Sequence, residues 1–126
     1  MRVVVAGGAG FLGSHLCDAL AARGDEVVIL DNLSSGSRDN VEHLIDAGHT
    51  FLHCDVSREV PVDGEVHGVF NLASPASPPH YLRHPLETLA VGSEGTRRLL
   101  ELAHTHGARF LQASTSEVYG DPQVHP

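Results

Sequence analysis

Residues 3–13 read VVVAGGAGFLG, and Asp31 follows the next apolar run, EVVIL at residues 26–30. An unbroken β-branched run that leads into clustered glycines is typical of a buried parallel strand followed by a phosphate-binding turn. Gly7 and Gly10 fit the sharp turn and the close approach of backbone to a pyrophosphate, because a Cβ would collide at both places. This stretch therefore predicts the start of a dinucleotide-binding fold.

A helix is predicted at residues 11–23, with apolar side chains on one stripe and Gly24 at its end. Its N-terminus would direct unpaired N–H groups and the positive end of the helix dipole at phosphates, so no lysine or arginine is required. We expect Gly13 to let this helix pack closely against the first strand. The alternative is a strand–helix–strand unit that binds no ligand.

Asp31 lies where a carboxylate would accept hydrogen bonds from the ribose hydroxyls of adenosine. The same carboxylate would repel a 2′-phosphate, so Asp31 favours NAD over NADP. Arg38, in the following loop, leaves three roles open: accommodation of that phosphate, contact with the adenosine, or a place in solvent.

The rest of the chain alternates between strands, expected at residues 50–54, 68–73 and 109–114, and helices, expected at 39–47 and 86–106. This alternation predicts an α/β fold of the Rossmann type, a doubly wound parallel sheet in the order 3-2-1-4-5, truncated after the fifth strand. We expect residues 1–126 to form one domain. Ligands in such sheets lie beyond the carboxyl ends of the strands, where several candidate residues fall: Gly7, Gly13, Asp31, Asp55, Ser74 and Thr115.

Composition excludes several classes of partner. The net charge of −8, without an arginine cluster, argues against nucleic acid and anionic membranes. No apolar stretch is long enough to span a membrane and no signal peptide is evident, so we expect a cytoplasmic protein. Cys17 and Cys54 lie in apolar segments and are expected to be reduced core thiols.

The ten histidines do not predict a metal site. His80 and His84 are expected to be kept apart by Pro85, and His104 and His106 lie on opposite faces of a helix. Residues 74–85 contain four prolines, which predicts a stiff, non-helical loop at the ligand edge of the sheet. Such a loop would wall a substrate pocket, or form only a surface connection.

Two strings are more specific than the glycine pattern: LASPASPPHY at residues 72–81 and ASTSEVYGDP at residues 113–122. With residues 7–15, 40–43 and Asp55-Val56, they make the chain similar over its full length to the N-terminal part of the extended short-chain dehydrogenase/reductases. Within that group it most resembles the UDP-glucuronate decarboxylase family. Both strings separate it from 4-epimerases and dTDP-glucose dehydratases.

This resemblance implies a UDP-glucuronate substrate and a tightly bound NAD cofactor. The family oxidises C4 of the sugar with NAD, loses carbon dioxide from the 4-keto intermediate and reduces the ketone again to give UDP-xylose. The resemblance implies that Thr115 hydrogen-bonds the C4 oxygen, and that Ser116 and Glu117 face the C5 and carboxylate region. For Ser116 a loop-capping role stays open. A homodimer is expected of the full-length enzyme.

The resemblance and the glycine pattern also imply a set of cofactor contacts. They comprise Gly7, Gly10, Phe11, Leu12, Gly13, Asp31, Asn32, Ser34, Ser35, Gly36, Asp55, Val56, Leu72, Ala73 and Ser74.

One family feature does not match. The family's base is the tyrosine of a Tyr-x-x-x-Lys motif, but this chain has no lysine, and Tyr81 and Tyr119 are followed four residues later by Pro85 and Gln123. We expect both the dyad and the substrate domain to lie beyond residue 126 or to be missing. Without them, the chain is expected to be inactive alone. Gly92 also stands where related decarboxylases often have asparagine. Two alternatives stay open: a non-catalytic dinucleotide-binding module, and another NAD-dependent nucleotide-sugar epimerase or dehydratase.

Overall fold

A computed structural model of the protein describes residues 1–124. Its five strands form one sheet in the order β3-β2-β1-β4-β5, and every neighbouring pair is parallel, which confirms the predicted fold and strand order. The strands are β1 (Arg2–Ala6), β2 (Glu26–Asp31), β3 (Thr50–His53), β4 (Gly68–Asn71) and β5 (Arg109–Gln112). The last three end one or two residues earlier than predicted.

The helices are α1 (Phe11–Ala22), α2 (Glu42–Asp46), α3 (Pro78–Tyr81), α4 (Pro85–Ala90) and α5 (Thr96–His106). The helix predicted at residues 39–47 is instead a 3₁₀ turn, Arg38–Asn40, followed by α2. The long helix predicted at 86–106 is divided by a π-helical segment, Val91–Gly95. That segment contains two glycines, which hold regular helical geometry less firmly than other residues.

Helices cover both faces of the sheet. Since successive strand residues point to opposite sides, each face contributes its own side chains to a separate buried cluster. One buried cluster packs against α1 and α2 and includes Val3, Val5, Val27, Ile29, Cys17, Leu20 and Leu44. The other packs against α5 and includes Val4, Ala6, Val28, Leu30, Leu99 and Ala103. These two layers hold the carboxyl ends of the strands at one edge, where the predicted site residues lie.

The proline-rich segment is partly helical, so the prediction of a non-helical loop at residues 74–85 was wrong. Pro78 and Pro79 occupy the first turn of α3, and Pro85 begins α4. A proline has no N–H, but the first helical position needs none, and its fixed φ already suits a helix. The prolines therefore start short helices here.

Both cysteines are buried and free, in agreement with the prediction of quiet core thiols. Burial raises the pKa of Cys17 to about 12 and that of Cys54 to about 11, and nearby carboxylates add to both effects. Neither thiol is a nucleophile at neutral pH, since the thiolate is the reactive form. Among residues 1–124, no helix is long and apolar enough to cross a membrane.

Candidate dinucleotide-binding site

The turn after β1 is built on a glycine that no other residue could replace. Gly7 has a φ of +75°, and a Cβ there would lie 2.7 Å from the carbonyl oxygen of Leu72, just beyond β4. The N–H of Gly7 donates to the carbonyl of Leu30 at 2.8 Å. The turn is therefore wedged between the ends of β2 and β4, where the strand order of the sheet reverses.

Two further glycines let the turn close on itself. A Cβ on Gly13 would lie 2.0 Å from the carbonyl oxygen of Gly7, so this glycine lets the start of α1 pack against the turn that directly follows β1. Cys17 and Leu20 of α1 also pack with Val3 and Val5 of β1, in agreement with the prediction that this helix lies close against the first strand. A Cβ on Gly8 would lie 2.8 Å from Cγ2 of Ile29. Sequence reasoning gave Gly8 no role, although its place within the glycine cluster was a signal for one.

The N-terminus of α1 presents unpaired donors. The first helical hydrogen bond runs from the N–H of Ser14 to the carbonyl of Gly10 at 3.0 Å. Within residues 1–124, the N–H groups of Phe11, Leu12 and Gly13 have no hydrogen-bond acceptor. A Cβ on Gly10 would contact only the Gly7 carbonyl, at 3.3 Å, so the space in front of these donors is open. This cradle fits a pyrophosphate.

Asp31 is buried at the end of β2, 9% exposed, and its carboxylate holds two backbone segments. Its Oδ2 accepts from the N–H of Ala9 at 2.9 Å, and its Oδ1 accepts from the N–H of Leu33 at 2.8 Å. Each carboxylate oxygen has two acceptor positions. Asp31 can therefore hold the glycine turn and still accept a ribose hydroxyl, a double duty that sequence reasoning missed.

The loop after β2 contains the predicted contacts Asn32, Ser34, Ser35 and Gly36, and it folds back over the glycine turn. Asn32 stabilises it locally, because its side-chain oxygen accepts from the N–H of Ser34 at 3.0 Å. A Cβ on Gly36 would lie 2.7 Å from the carbonyl oxygen of Ala9. The adenosine end and the phosphate end of the candidate site are thus in direct contact.

Arg38 is engaged at the surface. Its Nε donates to Oε2 of Glu42 at 3.0 Å, and its guanidinium lies 5.5 Å from the centre of the Phe51 ring. Of the three roles that the sequence left open for Arg38, these contacts favour the third, a place at the solvent-exposed surface.

Residues beyond β3 and β4 form local turns. The Oδ1 of Asp55 accepts from the N–H and the hydroxyl of Ser57, at 2.9 and 2.7 Å, which places Val56 in a tight turn. Asn71, the last residue of β4, is 1% exposed. It donates to Gln112 at 2.9 Å and accepts from the N–H of Ala73 at 3.2 Å. Asn71 thereby shapes the predicted cofactor contacts that follow it, which are Leu72, Ala73 and Ser74.

The residues predicted to act in catalysis follow β5. Thr115 caps a 3₁₀ turn, Ser116–Tyr119, by accepting from the N–H of Glu117 at 3.4 Å, and its hydroxyl donates to the carboxylate of Glu117. The structure therefore gives the capping role to Thr115 and not to Ser116. All three side chains are exposed at the carboxyl edge of the sheet, so a hydroxyl and a carboxylate are held together there.

The histidine pair of the proline-rich segment differs from our expectation. His80 and His84 are not kept apart, because a helical turn joins them and their ring centres lie 5.1 Å from each other. In the described part of the chain, however, no group of three or more histidine, cysteine or carboxylate side chains could hold a metal ion.

Comparison with known proteins places this geometry in a family. The model of the NAD dependent epimerase/dehydratase family matches residues 3–126. The chain belongs to this family. UDP-glucuronic acid decarboxylase 1 of Danio rerio is 50% identical over 128 residues, which cover 99% of this chain and 30% of that protein. UDP-glucuronic acid decarboxylase 1 of Arabidopsis thaliana is 48% identical and covers 100% of this chain, with 29% of its own length.

Solved structures of the epimerase/dehydratase family share the fold. The Thermotoga maritima UDP-glucose 4-epimerase, solved with UDP-glucose, superposes with a TM-score of 0.82 at 30% identity, over 100% of this chain and 42% of the epimerase. The Thermus thermophilus UDP-glucose 4-epimerase, a complex with NAD, gives a TM-score of 0.69 at 38% identity, over 86% and 35%. The chain thus spans about 30% of the length of the curated relatives it matches, and the resemblance stated from the sequence is confirmed.

Proposed function

We propose that this chain is the NAD-binding part of a UDP-glucuronate decarboxylase. The observation that carries the proposal is the cradle at the start of α1, where the N–H groups of residues 11–13 have no acceptor within residues 1–124 and lie beside Gly10 and the buried Asp31. Decarboxylase relatives at about 50% identity across the chain support the substrate class.

In this proposal the N–H groups of α1 bind the pyrophosphate, and Asp31 accepts from the adenosine ribose. The loop of residues 32–36 lies against the adenosine, with Asp55 and Val56 beside it. Leu72, Ala73 and Ser74, beyond β4, line the side toward the nicotinamide. When bound, NAD supplies the hydride acceptor and donor for the redox steps at C4 of the sugar.

The proposed catalytic residues include the hydroxyl–carboxylate pair beyond β5, Thr115 and Glu117. We assign Thr115 to a hydrogen bond with the C4 oxygen of the sugar. The contact with the Glu117 carboxylate, to which the Thr115 hydroxyl donates, orients that hydroxyl and supports this assignment. Glu117 and Ser116 would face the C5 and carboxylate region of the sugar. A carboxylate near that position repels a second negative charge, which favours release of neutral carbon dioxide from the substrate.

The chain is not expected to turn over alone, because it has no lysine to complete a Tyr-x-x-x-Lys dyad and spans about 30% of its decarboxylase relatives. We propose that the dyad and a substrate domain belong to sequence that follows residue 126 in the source gene. An in-frame continuation with Tyr-x-x-x-Lys supports the enzyme, whereas a natural stop codon supports a non-catalytic module.

The test compares the 126-residue chain with the full reading frame. Calorimetry of the short chain with NAD should show binding, and its carbon dioxide release from UDP-glucuronate should be absent. The full reading frame should release carbon dioxide and form UDP-xylose. Turnover by the short chain would contradict the assignment of the base, and failure of the short chain to bind NAD would contradict the cofactor site.

A second candidate function is a nucleotide-sugar 4-epimerase, since solved 4-epimerases superpose on this chain at up to 38% identity. The two reactions differ in mass balance. A decarboxylase loses the carboxyl carbon of the uronate, and an epimerase keeps it. UDP-glucuronate labelled at C6 therefore distinguishes them in the full reading frame, because only the first releases labelled carbon dioxide.

We further propose that the full-length protein is a cytoplasmic homodimer that binds a nucleotide sugar. Leu82, which directly follows α3, and Leu86 and Leu89 of α4 are exposed, and these apolar side chains support a self-association surface. Two free buried thiols suit a reducing compartment. Sedimentation of the full protein with and without Leu86→Arg tests the homodimer. Fractionation of the source cells tests the cytoplasmic location.

A further inference from the structure

The backbone of Ala9, in the middle of the glycine turn, is held on both sides by groups from the end of β2 and from the segment that follows it. Its N–H donates to Oδ2 of Asp31 at 2.9 Å. Its carbonyl oxygen accepts from the side-chain amide of Asn40 at 2.9 Å and from the N–H of Ser37 at 3.2 Å. Ala9 itself is fully buried. Three separate groups, one at the end of β2 and two in the segment after it, therefore fix one residue of the turn.

The grip on the Ala9 carbonyl sets the direction of the next donor. The carbonyl of Ala9 and the N–H of Gly10 lie in one planar peptide unit, so fixing the oxygen fixes the N–H. Gly10 is also the N-cap residue that directly precedes α1. An amide that holds the Ala9 carbonyl thus orients the backbone that leads into the free N–H groups of Phe11, Leu12 and Gly13.

Asn40 is suited to this task, because within residues 1–124 its side chain has no hydrogen-bond partner besides Ala9. It ends the 3₁₀ turn Arg38–Asn40, and its side chain reaches 31 residues back along the chain to Ala9. The residue is exposed, so its side chain fills no part of either apolar core. Gly36 leaves room for the approach, because a Cβ there would lie 2.7 Å from the same carbonyl oxygen.

We propose that Asn40 is a positioning residue of the dinucleotide site, which couples the segment after β2, residues 32–40, to the glycine turn through the backbone of Ala9. The inference rests on the proposed function of the chain as an NAD-binding unit. Asn40 acts through the backbone and does not touch the cofactor. Its loss leaves the core intact and loosens the turn that must receive the phosphates.

The test measures NAD affinity and turn mobility separately in the 126-residue chain. Asn40→Ala removes the donor, and we expect a weakening of NAD binding by about threefold to tenfold, the equivalent of one hydrogen bond. Asn40→Asp, which sets a carboxylate oxygen against the Ala9 carbonyl, should weaken it further. Hydrogen exchange of the Ala9 and Gly10 amides should speed up in both variants without NAD. The melting temperature should change little.

Asp39→Ala is the matched control, because Asp39 lies in the same 3₁₀ turn, is exposed, and has no side-chain hydrogen bond within residues 1–124. It should leave affinity and exchange unchanged. A purely structural role for Asn40 would lower the melting temperature and leave NAD affinity unaltered, which would overturn the proposal. Unchanged exchange at Ala9 and Gly10 would overturn it as well. Failure of the unaltered chain to bind NAD would instead refute the proposed function, and the exchange measurement would still decide whether Asn40 holds the turn.

Discussion

The carbonyl oxygen of Gly7 and the α-carbon of Gly13 are in such close contact that a Cβ on Gly13 would lie 2.0 Å from that oxygen. We predict that Gly13→Ala destabilises the protein by about 3 kcal/mol or more, because the turn must be displaced to admit the methyl group. The melting temperature should fall by about 10 °C. A circular-dichroism melt measures it.

Gly10→Ala is the companion variant, with a different expected result. A Cβ on Gly10 would contact only the Gly7 carbonyl, at 3.3 Å, and otherwise project into the open side of the cradle. Stability should therefore change little, whereas NAD affinity should fall about tenfold or more because the methyl group occupies the approach of the pyrophosphate. Similar melting temperatures for the two variants would refute this account of the turn.

Asp31→Ala should narrow the preference for NAD over NADP. Removal of the carboxylate takes away the acceptor for the ribose hydroxyls and also the charge that repels a 2′-phosphate. We expect NAD binding to weaken about tenfold and NADP binding to change less, as measured by calorimetry with both cofactors. Because Asp31 also holds Ala9 and Leu33, the variant should melt at a lower temperature. Equal affinity of the unaltered chain for both cofactors would contradict Asp31 as the selector.

Because of Asp25, the free energy of unfolding is expected to decrease as the pH falls in the acid range. Hydrogen bonds from the α-ammonium group of Met1 and from Arg23 hold the pKa of this carboxyl below its ordinary value of 3.8, although burial opposes them. The native state therefore binds the proton less readily than the unfolded state. The contribution of Asp25 is fully present above the unfolded value and is lost as the pH falls through the folded value.

The variant that tests this linkage is Asp25→Asn. It should unfold at lower urea concentration than the unaltered protein at neutral pH, and the difference should shrink as the pH falls below the ordinary value of 3.8. Asp39→Asn, an exposed change with no ion pair to lose within residues 1–124, should give no such trend. A difference that persists undiminished in acid would show that Asp25 stabilises the protein without its charge.

The π-helical segment offers a stabilising change. A Cβ on Gly92 would meet nothing within 4 Å, so Gly92→Ala should stabilise the protein by about 0.5 to 1 kcal/mol through the lower backbone entropy of alanine in the unfolded chain. At Gly95 a Cβ would lie 3.1 Å from Cγ2 of Val56, and Gly95→Ala should gain less or destabilise. Urea denaturation of both variants measures the contrast. An equal gain in the free energy of unfolding for Gly92→Ala and Gly95→Ala would argue against packing as the reason for the expected difference.

The central strands and the glycine turn could be predicted from the sequence because their signals are local. A run of valines that leads into clustered glycines, and an acid after the next apolar run, define β1, α1 and β2 without knowledge of any distant contact. The strand order followed from the same alternation, since parallel strands joined by helices have few possible arrangements.

Side-chain contacts between distant segments could not be predicted. Asn71 binds Gln112, 41 residues away, and Asn40 binds Ala9, 31 residues away, and neither pairing leaves a periodic trace in the sequence. The helical turns at Pro78 and Pro85 were missed for another reason. Proline was taken as a helix breaker, whereas at the first position of a helix it is a starter.

The central place of β1 has a consequence for how the chain is made. One edge of β1 pairs with β2, which begins at Glu26, and its other edge pairs with β4, which begins at Gly68. Closing that long loop costs entropy that local helix formation does not. On the ribosome, the glycine turn can therefore contact β2 well before the wall formed by Leu72 arrives. The cofactor cradle is completed only when the fourth strand has emerged.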